Sequence, residues 1–263
     1  MRRLAAGLVA ALVVGGCGDP GSGRANGEPR AVDALAAAAE QAADAGSARM
    51  TMSLSMDVPG ETMELDAEGA MDFDREVAEM TMTMSGGGVP AGTEVDVVLE
   101  GDYMYMRFPK ELSGPVDAGW LRMNITEAPG PTQGQSVFSQ DPAQMLQLLR
   151  GASEDIEEVG TEEVRGVTTT HFRATLSIEK MLDQAPDQES AERLRSRLDG
   201  FEGLETIPAD VWIDADGLPR RMTVEMTFEA GGESGGVDMS MDMFDFGVEV
   251  DARPPKRFED LPV

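Results

Sequence analysis

Cysteine, histidine, tryptophan and tyrosine are nearly absent from this 263-residue chain, which holds one Cys, one His, two Trp and two Tyr. A lone cysteine excludes a disulfide scaffold. One Cys and one His cannot supply the three or four ligands of a Cys/His zinc site. A Ser-His-Asp or Cys-His system would have to rest on His171 alone, so no nucleophile–base pair can be assembled and an enzyme is not expected. Basic residues are scarce too. Against 49 Asp and Glu stand 21 Lys and Arg, a formal charge of −28. Nucleic-acid binders carry basic patches, so nucleic acid is not an expected partner. No motif for a cofactor or a metal is present. The 49 acids are too many for spacing to single out a catalytic carboxylate pair, and they read as solvated surface. With 41% hydrophobic residues the chain can still bury a sizeable core, unlike a disordered acidic tail.

What is present begins at the N-terminus. Met1-Arg2-Arg3 is a short positive segment, and Leu4 to Val14 is an apolar run. That run is too short to cross ~30 Å of hydrocarbon as a helix. Followed by Val14-Gly15-Gly16-Cys17, it reads as a secretory signal with small residues before the cleavage point. The Gly-Gly-Cys ending resembles a bacterial lipobox. That resemblance implies a signal peptide over 1–16 and a diacylglycerol thioether on Cys17, the chain's only cysteine. Residues 17–30 then form the lipidated Cys and a polar, Gly- and Pro-rich tether. The expected location is the extracytoplasmic face of the cell membrane, with a lipid anchor of two acyl chains. An anionic membrane repels so acidic a domain over ~8–10 Å, and association by charge favours a basic partner.

Residues 31–255 read as one domain, and 256–263 as a C-terminal tail. Ala31 to Ala45 is an Ala-rich helix stopped by Gly46. Period-two strands follow. Met50, Met52, Leu54 and Met56 share one face of the first. Met80, Met82 and Met84 share one face of a later strand, and Val95, Val97 and Leu99 begin another. Gly119 to Ile125 is a shorter candidate. Thr126 to Val137 breaks the pattern as a long loop. Asp141-Pro142 then opens a helix to Arg150 that carries Met145 and Leu149. A hairpin folds around Arg165-Gly166, and two short helices follow. The chain closes in a meander containing Met222, Val224, Met226, Met239 and Met241. The shift of apolar residues from odd numbers (through Met243) to even ones (from Phe244) predicts a bulge in the last strand. Strands with one apolar and one charged face indicate an antiparallel sheet with one wet face. The expected fold class is α+β: a strongly curved antiparallel half-barrel of about nine to eleven strands, with helices packed on the concave face.

Two stretches carry a resemblance to a known family. ALAAAAEQAADAGSARMTMSLSM runs from the first helix into the first strand, and IPADVWIDADGLPRRMTVEM forms a late hairpin. With the lipobox and tether, this layout resembles actinobacterial lipoproteins of the LppX/LprG type, which share the LolA/LolB-like fold. The resemblance implies an apolar cavity for the acyl chains of a lipid or lipoglycan, and a role in carrying it through the envelope. It implies an envelope transporter or another protein as a further partner. It brings no catalytic residue. The candidate cavity-lining residues are Met50, Met52, Leu54, Met56, Met80, Met82, Met84, Val95, Val97, Leu99, Met145, Leu149, Met222, Val224, Met226, Met239 and Met241.

Each of these features has a plainer reading. Met-x-Met in a strand is ordinary core, or an adaptable apolar lining. The triplets at 80–84 and 239–243 would also suit Cu(I). His171 shares its parity with Thr169, Arg173 and Thr175, which predicts an exposed surface histidine. Asp214-x-Asp216-Gly217 opens like a calcium loop but lacks the distal Glu, so it reads as a hairpin turn. The loop Thr126–Val137 and helix Asp141–Arg150 are candidates for a mobile lid. The alternative to a carrier is a protein-binding sensor or regulatory lipoprotein with a packed core and no lipid cavity.

Overall fold

The computed structural model describes residues 31–58, 60–112, 119–125, 146, 149, 153–183, 188, 191–192, 195–196, 204–230 and 232–261. The expected signal, Cys17, the tether, the Thr126–Val137 loop, Met145 and most of the following helix lie outside the described residues.

Helix α1 spans Ala31–Ala45 and buries Leu35, Ala38, Ala39 and Ala42. These positions recur at three- and four-residue intervals, so one stripe is buried while Asp33, Glu40, Gln41 and Asp44 fall outside it. Gly46, at φ +70°, ends the helix and turns the chain into β1, Ser47–Val58. There follow β2 (Glu61–Asp72), β3 (Val77–Gly86), β4 (Val89–Glu100), β5 (Tyr103–Arg107) and β6 (Leu121–Asn124). After the helical residues Leu146 and Leu149 come β7 (Ser153–Val164), β8 (Val167–Ser177) and the short helix α2 (Ile178–Asp183). β9 (Thr206–Asp214), β10 (Pro219–Ala230), β11 (Glu233–Phe244) and β12 (Glu259–Asp260) complete the chain.

All twelve strands join one curved, unclosed sheet in the order β12-β6-β5-β4-β3-β2-β1-β11-β10-β9-β8-β7. Every pairing is antiparallel except β12 with β6. Tight hairpins set most registers. At the β7–β8 turn Arg165 (φ +50°) and Gly166 (φ +82°) both take positive φ, as a two-residue turn matched to strand twist requires. The sheet is then stitched at its centre by a long-range pairing, Met52 of β1 opposite Met241 of β11.

Three expectations are corrected here. Among the described residues the sheet has twelve strands rather than nine to eleven. The parity change after Met243 is a strand end, not a bulge: β11 stops at Phe244, and Asp245 (φ +49°) and Gly247 (φ +76°) turn the chain away. Gly247 N–H then donates to Ser47 O at 2.8 Å, and Ser47 Oγ donates to Val248 O at 2.6 Å. The stretch 256–263, read as a C-terminal tail, contains β12, which is tied to β6 by Glu259 N–H to Trp120 O (2.9 Å) and Leu261 N–H to Arg122 O (2.8 Å).

Candidate functional site

The period-two pattern and the hairpin registers place one apolar row beside another across the sheet. Phe172, Val211, Met222, Met241, Met52, Ala67, Met82 and Val95 align as successive cross-strand partners from β8 to β4. All of them are buried. One row toward the β1–β2 hairpin lie Val224, Met239, Leu54, Leu65 and Met84, again paired strand to strand. These are half-buried, as is Met56, and Met63 beyond them is 39% exposed. Toward the other end Ala48 and Met243 are fully enclosed. The apolar face therefore has a closed end and a half-open end. α1 contributes Leu35, Ala38 and Ala39 to the cluster formed by β8 to β11, together with Leu146 and Leu149. β1 to β5 build a second cluster around Met50, Met80, Val97 and Leu99, and Phe246 touches both clusters.

Every strand residue of the expected set falls on this face, and Leu149 packs into its first cluster. Met50, Met52, Met80, Met82, Val95, Val97, Leu99, Leu149, Met222 and Met241 are buried, whereas Leu54, Met56, Met84, Val224, Met226 and Met239 are half-buried. The thioethers lie among other apolar side chains, and no group of three or more His, Cys, Asp or Glu that could hold a metal ion occurs among the described residues.

The opposite, polar face holds what the sequence did not disclose. His171 is 4% exposed, which corrects the expectation of a surface histidine. Its ring stacks on Trp212 at 4.2 Å and 13°. Its Nδ1 lies 3.0 Å from Glu162 Oε1 and its Nε2 lies 2.5 Å from Asp210 Oδ1. Trp212 Nε1–H donates to Glu162 Oε2 (2.9 Å), and Arg173 Nε–H donates to Asp210 Oδ1 (2.9 Å). The Trp212 hydrogen bond, with His171 behind it, holds the Glu162 carboxyl below the usual range. Parity put His171 on the correct face. It is buried because Trp212, an aromatic among the outward residues Asp210 and Asp214, shields it. That misplaced aromatic was the available signal. His171, Arg173, Asp210 and Trp212 line one side of an open pocket of about 600 Å³, whose lining also includes Ser53, Asp66, Thr223 and Ser240. Replacing His171 with Gln should lower stability by about 1–3 kcal/mol, because the buried ring's stack on Trp212 and its hydrogen bonds to carboxylates are lost. Urea unfolding followed by Trp fluorescence measures it, and an unchanged midpoint would show that the cluster is not structural.

No family model matches the chain. Its backbone superposes on the crystal structure of the lipoprotein LppX from Mycobacterium tuberculosis with a TM-score of 0.50, covering 84% of this chain and 99% of that one at 16% identity. This is the LppX fold. LprF from Mycobacterium bovis is also similar, with a TM-score of 0.48 and 13% identity over 86% of this chain and 96% of that one. In sequence, the chain is 26% identical over 144 residues to an uncharacterised 31.2 kDa protein of Streptomyces griseus, a match spanning 52% of this chain and 45% of that relative. The chain thus aligns with less than half the length of that relative. Within the LppX fold, the methionine-rich face with one half-open end is the candidate binding surface. No helix among the described residues is long and apolar enough to cross a membrane.

Proposed function

We propose that this protein is a membrane-anchored envelope lipoprotein that holds the acyl chains of a lipid or lipoglycan against the apolar face and carries or presents that lipid. One observation carries the reading: the apolar face passes from fully buried at Met222 and Met243 to half-buried across Val224, Met239, Leu54, Leu65 and Met84. A packed core has no need of a row of large apolar side chains left half open. α1 covers the concave side near the closed end, and acyl chains enter from the other. Methionine suits this lining, since a flexible, polarisable side chain adapts to chains of different length. A methylene group left in water costs about 0.8 kcal/mol, and exchange between a bilayer and an apolar groove avoids that exposure. Extraction and return are then both thermally accessible. The anchor on Cys17 keeps the exchange local.

The test uses the full chain carrying Cys17→Ala, so that any acyl mass found is not covalent. Native mass spectrometry and solvent extraction should return close to one equivalent of an acyl-chain species. A bare protein mass, with no uptake of added phospholipid or glycolipid, would overturn the reading and favour a protein-binding lipoprotein with a closed core.

A further inference from the structure

Methionine recurs at every depth of the apolar face, and its exposure rises toward the half-open end. Met50, Met80 and Met243 lie in the row nearest the closed end, and Met52, Met82, Met222 and Met241 in the next. All of these are buried. One row further out Met239 and Met84 are half-buried. In the outermost row Met226, Val237, Met56 and Met63 are successive cross-strand partners from β10 to β2. Met226 and Met56 are half-buried there, and Met63 alone among the described methionines is exposed. The Met63 side chain rests on the β3–β4 turn. A Cβ on Gly87 would stand 3.5 Å from its Sδ and 2.9 Å from its Cε, so the glycine leaves the thioether its seat.

A thioether at such a place is open to oxidation. A sulfur lone pair attacks one oxygen of a peroxide, the O–O bond breaks, that oxygen stays on sulfur, and the other leaves as water once protonated. Sulfur is oxidised to the sulfoxide and the peroxide is reduced. The oxidant must reach the sulfur, so exposure sets the order of reaction. The product is a polar group that hydrogen-bonds water, and an acyl chain offers it no partner. A sulfoxide deep in the sheet would break the core. In the outer rows its oxygen stays in water and the strand pairing is kept.

We infer that Met63, Met56 and Met226, with Met239 and Met84 behind them, form an oxidation site at the entrance of the apolar face. A peroxide converts them to sulfoxides, acyl chains are then excluded while the sheet stays folded, and a dithiol-dependent sulfoxide reductase reopens the face. In that return step the sulfoxide oxygen leaves as water and the dithiol becomes a disulfide. The register supplies an internal comparison. Met106 and Met123 are also half-buried, but Met106 shares the row of Met80 and Met50, and Met123 stands with Met104 and Leu99 one row beyond it. Both are therefore remote from the half-open end. The inference rests on the acyl-chain reading above and concerns the regulation of that same face.

The test uses the full chain with Cys17→Ala, which has no thiol, treated with hydrogen peroxide and then with catalase. Peptide mass mapping should find Met63 oxidised first, Met56, Met226, Met239 and Met84 next, and Met222 and Met243 still reduced. Two methylene groups left against hydrated sulfoxides should weaken binding of a dansyl fatty acid by about tenfold or more, with the melting transition still cooperative. The readout is the ratio of affinities before and after peroxide within each protein. Replacing Met56, Met63, Met84, Met226 and Met239 together by Leu should bring that ratio close to one, whatever the starting affinity. The smaller change, Met56→Leu with Met63→Leu, should move it the same way. Met106→Leu with Met123→Leu should leave it as in the parent. The two epimer-specific methionine sulfoxide reductases, with a dithiol, should restore binding. Undiminished binding by the oxidised parent, or a loss as large in the fivefold variant, overturns this inference alone. Untreated protein that binds no probe overturns the carrier reading and this inference with it.

Discussion

Asp242→Asn should lower the unfolding free energy by about 2–3 kcal/mol near pH 7, and the loss should shrink as the solution is made acidic. Asp242 sits on β11 at the centre of the polar face and is 8% exposed. Arg221, its partner on β10, donates to both carboxylate oxygens at 2.6 and 2.8 Å. Arg165 reaches it from the β7–β8 turn at 3.1 Å, donates to Thr51 Oγ1 on β1 at 3.2 Å, and lies over Phe244 at 4.0 Å. The carboxylate thus holds β10 and the β7–β8 turn to β11, and Arg165 carries the link on to β1. Removing one partner of a buried charge pair costs about 3–5 kcal/mol. The two guanidinium side chains are 36% and 42% exposed, so water recovers part of that and places the effect at the lower end.

The pH dependence follows from the carboxyl. Burial is the largest influence on Asp242 and pushes it up, but the hydrogen bonds from Arg221 and Arg165 together outweigh burial and hold it below the usual carboxylate value. The folded state thus binds this proton less readily than the unfolded chain. The stabilisation is complete above the unfolded-state carboxyl pKa, about 3.9, and is lost as pH falls through the lower folded-state value. Urea unfolding of both proteins from pH 7 into acid reads the difference directly. A gap that stayed constant or widened in acid would show that the Asn variant fails for a reason other than lost charge.

The sheet was legible because alternation survives any tertiary context. A strand half in water must repeat every two residues, and Met50, Met52 and Leu54, or Met80, Met82 and Met84, do so without interruption. The hairpins were legible because residues such as Gly60, Gly166 and Gly217 adopt positive φ where the chain must reverse. What stayed hidden depends on distance along the chain. Nothing local to β1 states that its second partner is β11, about 190 residues later, because registry over that span is decided by which apolar rows can share one face. β12 was missed because two residues after Pro254-Pro255 cannot show a period. His171 was put on the correct face but in the wrong environment. Parity reports orientation, whereas burial depends on neighbouring strands, here on Trp212 and Glu162. The candidate binding face shows the same division. Which residues point inward could be read from the sequence, but where the face changes from closed to half-open required the packing of α1 and β8 to β11 at one end.

That change also determines where a single charge would act most selectively. Leu54 lies at the middle of the half-buried row, with Met239 opposite it on β11 and Leu65 opposite it on β2. Leu54→Lys puts an ammonium group among Val224, Met239, Leu65 and Met84. In the folded protein the long lysine stem covers much of the surface the leucine covered, and its charge reaches water at the half-open end. Stability should therefore change by less than about 1 kcal/mol. An acyl chain crossing this row meets a hydrated cation instead. It must strip water from that cation or leave two or three methylene groups exposed, each costing about 0.8 kcal/mol. Acyl-chain affinity should fall by roughly 10- to 100-fold, a loss near 1.4–2.8 kcal/mol. The same substitution one row inward, Met52→Lys, buries an unpaired charge at a position 6% exposed and should unfold the domain. Titration with a fluorescent fatty-acid probe, alongside a melting curve for each variant, distinguishes the two. If Leu54→Lys bound the probe as tightly as the parent with its fold intact, the acyl chain would not pass over this row, and the half-open end would not be the entrance.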